Sequence, residues 1–283
     1  MSFRYRPDRQ GGLGATLRGI MIKLIVSVTG LLLAACATAE AALPDEVKDL
    51  APSGRLRAAI NFGNPVLAQK DPATGELGGV SVALARELGR QLGVPVDLIP
   101  FTEAGQVFEA LKHDAWDIAF LAVDPVRAAG IDFTAPYVLI EGTYLVPGTS
   151  PLQKIEEVDS DNIRIGVAKG SAYDLFLTRS LKHAQIVRAV NSAAATDLIR
   201  QNQVEALAGV RQPLVDYART HPEVRVLPGR FMEIAQAMGT PKGRAAGARF
   251  LKGFVEEMKI SGFVAKALGL SGQGEATVAP PAP

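Results

Sequence analysis

From Gly54 onward the chain alternates short apolar runs with helix-length amphipathic segments, the pattern of a mostly parallel sheet covered by helices. Leu56–Ile60 predicts the first strand. The stripe Val80, Ala83, Leu84, Leu88 and Leu92 predicts a helix that stops at Gly93 and Pro95. Val96–Phe101 predicts the second strand, Gly105–Leu111 a short helix, and Asp117–Ala122 a buried strand that delivers the chain to a loop at Asp124-Pro125. Strand ends of this kind are where open α/β sheets bind ligands.

The segment Pro147-Gly148-Thr149-Ser150-Pro151 breaks regular structure, and a second unit of the same kind follows. Its strands are predicted at Ile163–Val167, Ile186–Ala189 and Ala206–Val210, with helices at Ser171–Leu181 and Ala193–Gln201. Ile234–Met238 predicts a returning strand, and Gly243–Leu268 a helix broken near Ser261-Gly262. The expected organisation is a first lobe from residues 43–143 plus 232–270 and a second from 144–231. Residues 271–283, rich in Gly, Ala and Pro, are expected to be disordered.

Ahead of the folded region, Leu24–Ala35 is a short apolar run behind Arg4, Arg6, Arg9, Arg18 and Lys23, the pattern of a secretory signal. Two exits fit it. Leu33-Ala34-Ala35-Cys36 has the form of a site cleaved before a lipid-modified Cys36, while Ala37-Thr38-Ala39 and Ala39-Glu40-Ala41 have the form of ordinary cleavage sites. The signal thus covers residues 1–41, or 1–35 for a lipoprotein, and Met21 already opens a complete signal of its own. An uncleaved anchor is the remaining alternative. The expected location is extracytoplasmic, with a lipid anchor as the one membrane contact.

The chain of 283 residues is 48% apolar, enough to bury cores in two compact units. Removing residues 1–35 leaves 25 basic against 28 acidic residues, a balance that argues against nucleic-acid binding. One cysteine excludes an internal disulfide. With only His113, His183 and His221 beside it, no metal site or cofactor is expected.

Three segments together resemble the family 3 bacterial extracellular solute-binding proteins. They are Gly75-Glu76-Leu77-Gly78-Gly79-Val80, then Trp116-Asp117-Ile118-Ala119 with Arg127 and Ile131-Asp132-Phe133-Thr134-Ala135-Pro136-Tyr137, and Ile165-Gly166-Val167-Ala168-Lys169-Gly170-Ser171-Ala172. The resemblance implies a two-lobed α/β periplasmic-binding-protein fold of type II with two crossover hinge strands. It also implies a monomeric receptor that closes on a small carboxylate-bearing solute and presents it to the membrane permease of an ABC importer. The alternative function is an exported enzyme on the same fold, such as a cyclohexadienyl dehydratase, with Glu141 or Asp124 as proton donor.

Arg127 lies just past a predicted buried strand, where a planar guanidinium can hold a carboxylate through two parallel hydrogen bonds, or else pairs at the surface with Asp124 or Asp132. Gly170, Ser171 and Ala172 sit at a strand-to-helix turn whose amides favour an anion, and Ser171 is either a ligand donor, a helix cap, or both. Beside Arg127, Ala122-Val123-Asp124 replaces the family's T-x-T, so that Ala122 offers no hydroxyl and Asp124 either meets a cation or braces Arg127. Val210 stands where amino-acid receptors place an ammonium-binding acid, with Arg211 next to it, which puts a standard α-amino-acid site in doubt. Glu141 is a substitute ammonium acceptor or a hinge-surface residue. Phe62, near Asn64, covers a ligand or packs in the core.

Overall fold

The computed structural model describes residues 1–3 and 43–282; the expected signal segment and Cys36 lie outside them. Among the described residues no helix is long and apolar enough to cross a membrane. The strands, in chain order, are β1 (Leu56–Asn61), β2 (Gln69–Lys70), β3 (Leu77–Gly78), β4 (Val96–Phe101), β5 (Ile118–Ala122), β6 (Ile131–Pro147), β7 (Arg164–Ala168), β8 (Gln185–Ala189), β9 (Ala206–Val210), β10 (Val224–Val226), β11 (Met232–Pro241) and β12 (Thr277–Val278). The α-helices are α1 (Asp45–Leu50), α2 (Val80–Leu92), α3 (Ala104–Ala110), α4 (Pro125–Ala128), α5 (Ala172–Ser180), α6 (Ser192–Arg200), α7 (Arg211–Thr220), α8 (Ala245–Ile260) and α9 (Phe263–Leu270).

One sheet runs through residues 44–282 in the order β4-β1-β5-β11-β6-β9-β7-β8, with β10 and β12 each paired to β6. The pairs β4/β1, β1/β5, β9/β7 and β7/β8 are parallel, and the central pairs are antiparallel. Parallel strands need crossovers, and helices supply them on both sheet faces. In the first half α2, α8 and α9 enclose Leu56, Ile60, Leu84, Phe120, Phe254 and Val264 on one face, while Val107 of α3 and Trp116 pack with Ala119 and Leu121 on the other. The second half repeats the plan. Val167, Ala206 and Leu177 of α5 form one core, and Leu207, Ile199 of α6 and Leu214 of α7 another.

The chain crosses between halves twice, by β6 and by β11. At Gly142 strand β6 changes partners, pairing with Met232 of β11 on one edge and Val210 of β9 on the other. Register shifts interrupt the β6/β11 ladder on either side of Ala237. Such irregularities mark places where a strand pair bends.

Helix α7 and the carboxy-terminal tail are among the elements that differ from the reading of the sequence. Helix α7 was not anticipated, because Val210 gives it no side-chain cap and Pro213 falls within it; the proline is tolerated in the first turn, where its missing N–H has no intrahelical partner. The tail expected to be disordered is instead paired. Thr277 and Val278 lie against Leu139 and Val138 of β6, the Ala279 amide donates to the Tyr137 carbonyl at 3.1 Å, and Ala279 is buried. Backbone pairing needs no apolar stripe, so composition carries no trace of it.

Candidate functional site

Between the two halves lies a cavity of about 170 Å³, lined from the first half by Asn61, Asn64, Glu103, Ala122, Arg127 and Gln236. Ser171, Ala172, Tyr173, Ser192, Val210 and Tyr217 line it from the second half. Strand β5 ends at Ala122, and Asp124 caps α4 by accepting the Val126 amide at 2.8 Å, with Pro125 fixing the first turn. That short turn aims Arg127 inward, where the residue is 1% exposed. Its Nη1 donates to the Ala122 carbonyl at 3.0 Å and its Nη2 to the Gly170 carbonyl at 2.9 Å, while Nε has no partner. Burial pulls the guanidinium down to about 10, opposed by the nearby Asp124 carboxylate, so it keeps its charge at neutral pH.

The turn Gly170-Ser171-Ala172 bounds the cavity from the other side. Gly170 has φ +73°, and the Ser171 hydroxyl caps α5 by accepting the Asp174 amide at 3.0 Å. Asp174, held by Arg188 at 2.9 Å, takes the Gly170 amide at 2.8 Å. One of the amides expected to face an anion is therefore occupied by a side chain. The first-turn amides of Ala172 and Tyr173 have no acceptor within their own helix.

Three polar links tie the halves together across this space. Arg127 reaches the Gly170 carbonyl, Arg179 meets Asp124 at 2.7 Å, and Glu103 accepts the Ser192 amide at 2.7 Å and its hydroxyl at 3.2 Å. Glu103 is 6% exposed, and burial lifts its carboxyl above the ordinary carboxylate range despite the two Ser192 donors. Its Oε2 lies so close to the Gly63 backbone that any Cβ there would stand 2.8 Å away.

The structure brings Arg127, Ser171, Ala172, Ala122 and Asn64 together on one cavity, with Gly170 contributing its carbonyl. It does not bring the other candidates there. Asp124 is committed to Arg179 and to its helix cap, Phe62 packs on the first half's core, and Glu141 pairs with Arg211 at 2.5 Å and Arg230 at 3.2 Å outside the cavity. Each of Glu141 and Arg211 neutralises the charge that was to meet a ligand. Lining residues that the sequence reading missed include Glu103, Ser192, Tyr217 and Gln236. Glu103 was findable, because the strand-end argument that led to Arg127 after β5 applies equally to the end of β4.

Two α/β halves joined by two crossover strands, with an Arg-containing cavity between them, define a clamp-like binding protein of the type II periplasmic class. Residues 56–268 match the model of the bacterial extracellular solute-binding proteins, family 3, and the chain belongs to that family. Solved structures share the fold. The solute receptor for L-cysteine of Neisseria gonorrhoeae is 23% identical with a TM-score of 0.68, covering 78% of this chain and 90% of its own. The arginine-bound substrate-binding protein AbpA of Streptococcus pneumoniae is 17% identical with a TM-score of 0.69, over 80% and 97%. An ancestral amino acid-binding protein, AncCDT-1, described as a precursor of cyclohexadienyl dehydratase, is 22% identical with a TM-score of 0.65, over 80% and 97%. A search of curated proteins gives no match.

Proposed function

We propose that this protein is the receptor of an ABC importer, in which two lobes, residues 43–143 with 232–270 and residues 144–231, close on a small carboxylate-bearing solute outside the cytoplasmic membrane. Export through the amino-terminal signal, with or without lipid attachment at Cys36, belongs to the same reading, as does delivery of the solute to a membrane permease. The observation that carries it is a pair of buried polar atoms without partners, Arg127 Nε and Tyr217 Oη, both on residues lining one cavity between the halves. Buried donors are ordinarily satisfied, and a carboxylate satisfies Arg127 Nε while neutralising the guanidinium. A cavity of this volume suits a small solute.

Melting the protein against a panel of short acids, amines and amino acids tests this, because a ligand that binds only the folded state raises the melting temperature. Arg127→Ala is expected to cost the best ligand about 2 to 5 kcal/mol of binding, and Arg127→Lys to restore only part of it, since an ammonium lacks the guanidinium fork. Unchanged affinity in both variants removes Arg127 from the site. The receptor reading also expects the ligand to be recovered unchanged after incubation, whereas consumption of a panel member establishes an enzyme. Asp124 and Glu141, the proton donors suggested by the sequence, are both engaged with arginines.

A further inference from the structure

We propose that residues 271–282 form a splint on the crossover strand β6. The splint confines the bend between the halves to Ile140 and Glu141 of β6 with Glu233 and Ile234 of β11, and so limits how far the halves part. It rests on the receptor reading for one point, that the halves move against each other.

Its basis is the pairing along the two edges of β6. Strand β11 lies on one edge, while β9 and β12 share the other, β9 ending at Gly142 and β12 covering Leu139 and Val138. Leu139 is thus held between Ala235 and Thr277, Val138 between Gln236 and Val278, and Gly142 between Met232 and Val210. Among the described residues, Ile140 and Glu141 have a strand partner on the β11 edge alone. Strand β11 is restrained to match. Its pairing with β5 starts at Gln236, and the Ala235 carbonyl accepts the Val123 amide at 2.9 Å, so Glu233 and Ile234, the partners of Glu141 and Ile140, are paired with β6 alone. Bending a strand rotates backbone dihedrals, and a residue bonded on both edges cannot rotate without breaking its ladder. Hinges therefore settle on the few residues that can absorb the change. Without the tail, the one-edged run on β6 would lengthen to residues 137–141.

The tail is fastened to the first half by specific bonds. Gln69 donates to the Ser271 carbonyl at 3.1 Å, the Ala279 amide to the Tyr137 carbonyl at 3.1 Å, and the Ala282 amide to Glu256 at 3.0 Å. Lys259, with its side chain 2% exposed, donates to the Pro280 carbonyl at 2.8 Å. A buried ammonium needs its acceptors, so this contact fixes where the tail lies. Helix α7 of the second half faces the tail across a crevice of about 520 Å³, with Ile140 and Glu141 on its wall beside Ala276, Thr277, Arg211 and Asp216. The bend thus has open space beside it. The tail lies beyond residues 56–268, the part matched by the family model.

The test compares interlobe distances in the full chain, the chain ended after Gly272, and Ala279→Pro, which removes the amide bonded to Tyr137. Spin labels are placed through Lys112→Cys and Gln201→Cys, exposed positions one in each half, with Cys36→Ser. Both tail variants are expected to widen the distance distribution at least about twofold and to speed amide exchange of residues 137–141 at least about tenfold, leaving residues 144–146 unchanged. Ala279→Pro carries the test should the shortened chain not fold. Leu50→Ala, which opens a cavity in the first half's core, is the control and is expected to lower the melting temperature without widening the distribution. Tail variants that melt earlier but keep the wild-type distribution overturn the proposal, showing that the tail only packs on the first half. Equal widening in Leu50→Ala also overturns it, because any loss of stability would then loosen the halves. None of these outcomes decides ligand binding, which the melting panel tests on its own.

Discussion

Gly105, the second residue of α3, sits against the turn Lys169-Gly170 of the opposite half, and replacing it with alanine separates closure from folding. A Cβ at this position would stand 2.8 Å from the Lys169 carbonyl oxygen and 3.2 Å from Gly170 Cα, both backbone atoms of the turn opposite. Comfortable contact between such atoms begins near 3.5 Å, and a backbone turn cannot rotate aside as a side chain would, so the halves must stand off from each other. Overpacking of this order costs about 1 to 3 kcal/mol. Charged to the closed state alone, that lowers ligand affinity by about 5- to 150-fold. In an open molecule the new methyl faces solvent, and alanine favours the helix over glycine by up to about 1 kcal/mol. The expected result is therefore a split in sign: unliganded stability unchanged or raised, affinity reduced. Calorimetry with the best ligand of the panel, together with urea unfolding of the free protein, reads both quantities. Unchanged affinity would refute the reasoning, because the halves would then not meet at Gly105 when ligand is bound. A loss of unliganded stability matching the loss of affinity would refute the opening step, since the halves would then already be in contact without ligand.

Two further outcomes follow from buried groups. Truncation after Gly272 removes β12, uncovers the Ala279 site and takes the Pro280 carbonyl from the Lys259 ammonium, which it receives at 2.8 Å. A loss of about 2 to 4 kcal/mol in urea unfolding is expected, from the vanished pairing and a buried ammonium with fewer partners. The pH dependence of stability carries the sign of Glu103, whose carboxyl is lifted above its ordinary 4.5 by burial. A raised carboxyl contributes most below its unfolded value and loses that contribution as pH rises through the folded one. The melting temperature of Glu103→Gln relative to wild type is accordingly expected to rise from pH 4.5 upward, and a difference independent of pH would show that Glu103 ionises no less readily in the fold.

Much of the frame was legible because its signals are local. The apolar stripe of α2 stops at Gly93, which adopts φ +68° at the helix end, and the run from Ile118 to Ala122 is buried at every position. Arg127 was legible for a related reason, since a strand end and a proline-led turn are written in neighbouring residues. What stayed hidden depends on partners distant in sequence. Glu141 and Arg211 looked like ligand groups because nothing in the chain announces that residues seventy positions apart pair with each other. The charge of Glu103 matters only because β4 ends beside the turn before α6, and the tail is ordered only because β6 leaves an edge for Thr277 and Val278.

The double crossing by β6 and β11 has a consequence for the order in which the molecule is built. The second half draws its cores from one continuous stretch, from Tyr144 to Leu227 with Phe231 and Met232 packed alongside, so it completes itself as soon as that stretch is available. The first half does not. Strand β5 has β1 on one side and β11 on the other, and Leu56, Ile60 and Leu84 share their core with Leu251, Phe254 and Val264. A chain delivered from its amino end therefore finishes its later-encoded half before its earlier-encoded one. Until β11 arrives, the apolar edge of β5 stands unpaired, which makes Ile118–Ala122 the segment most exposed to misassociation during synthesis.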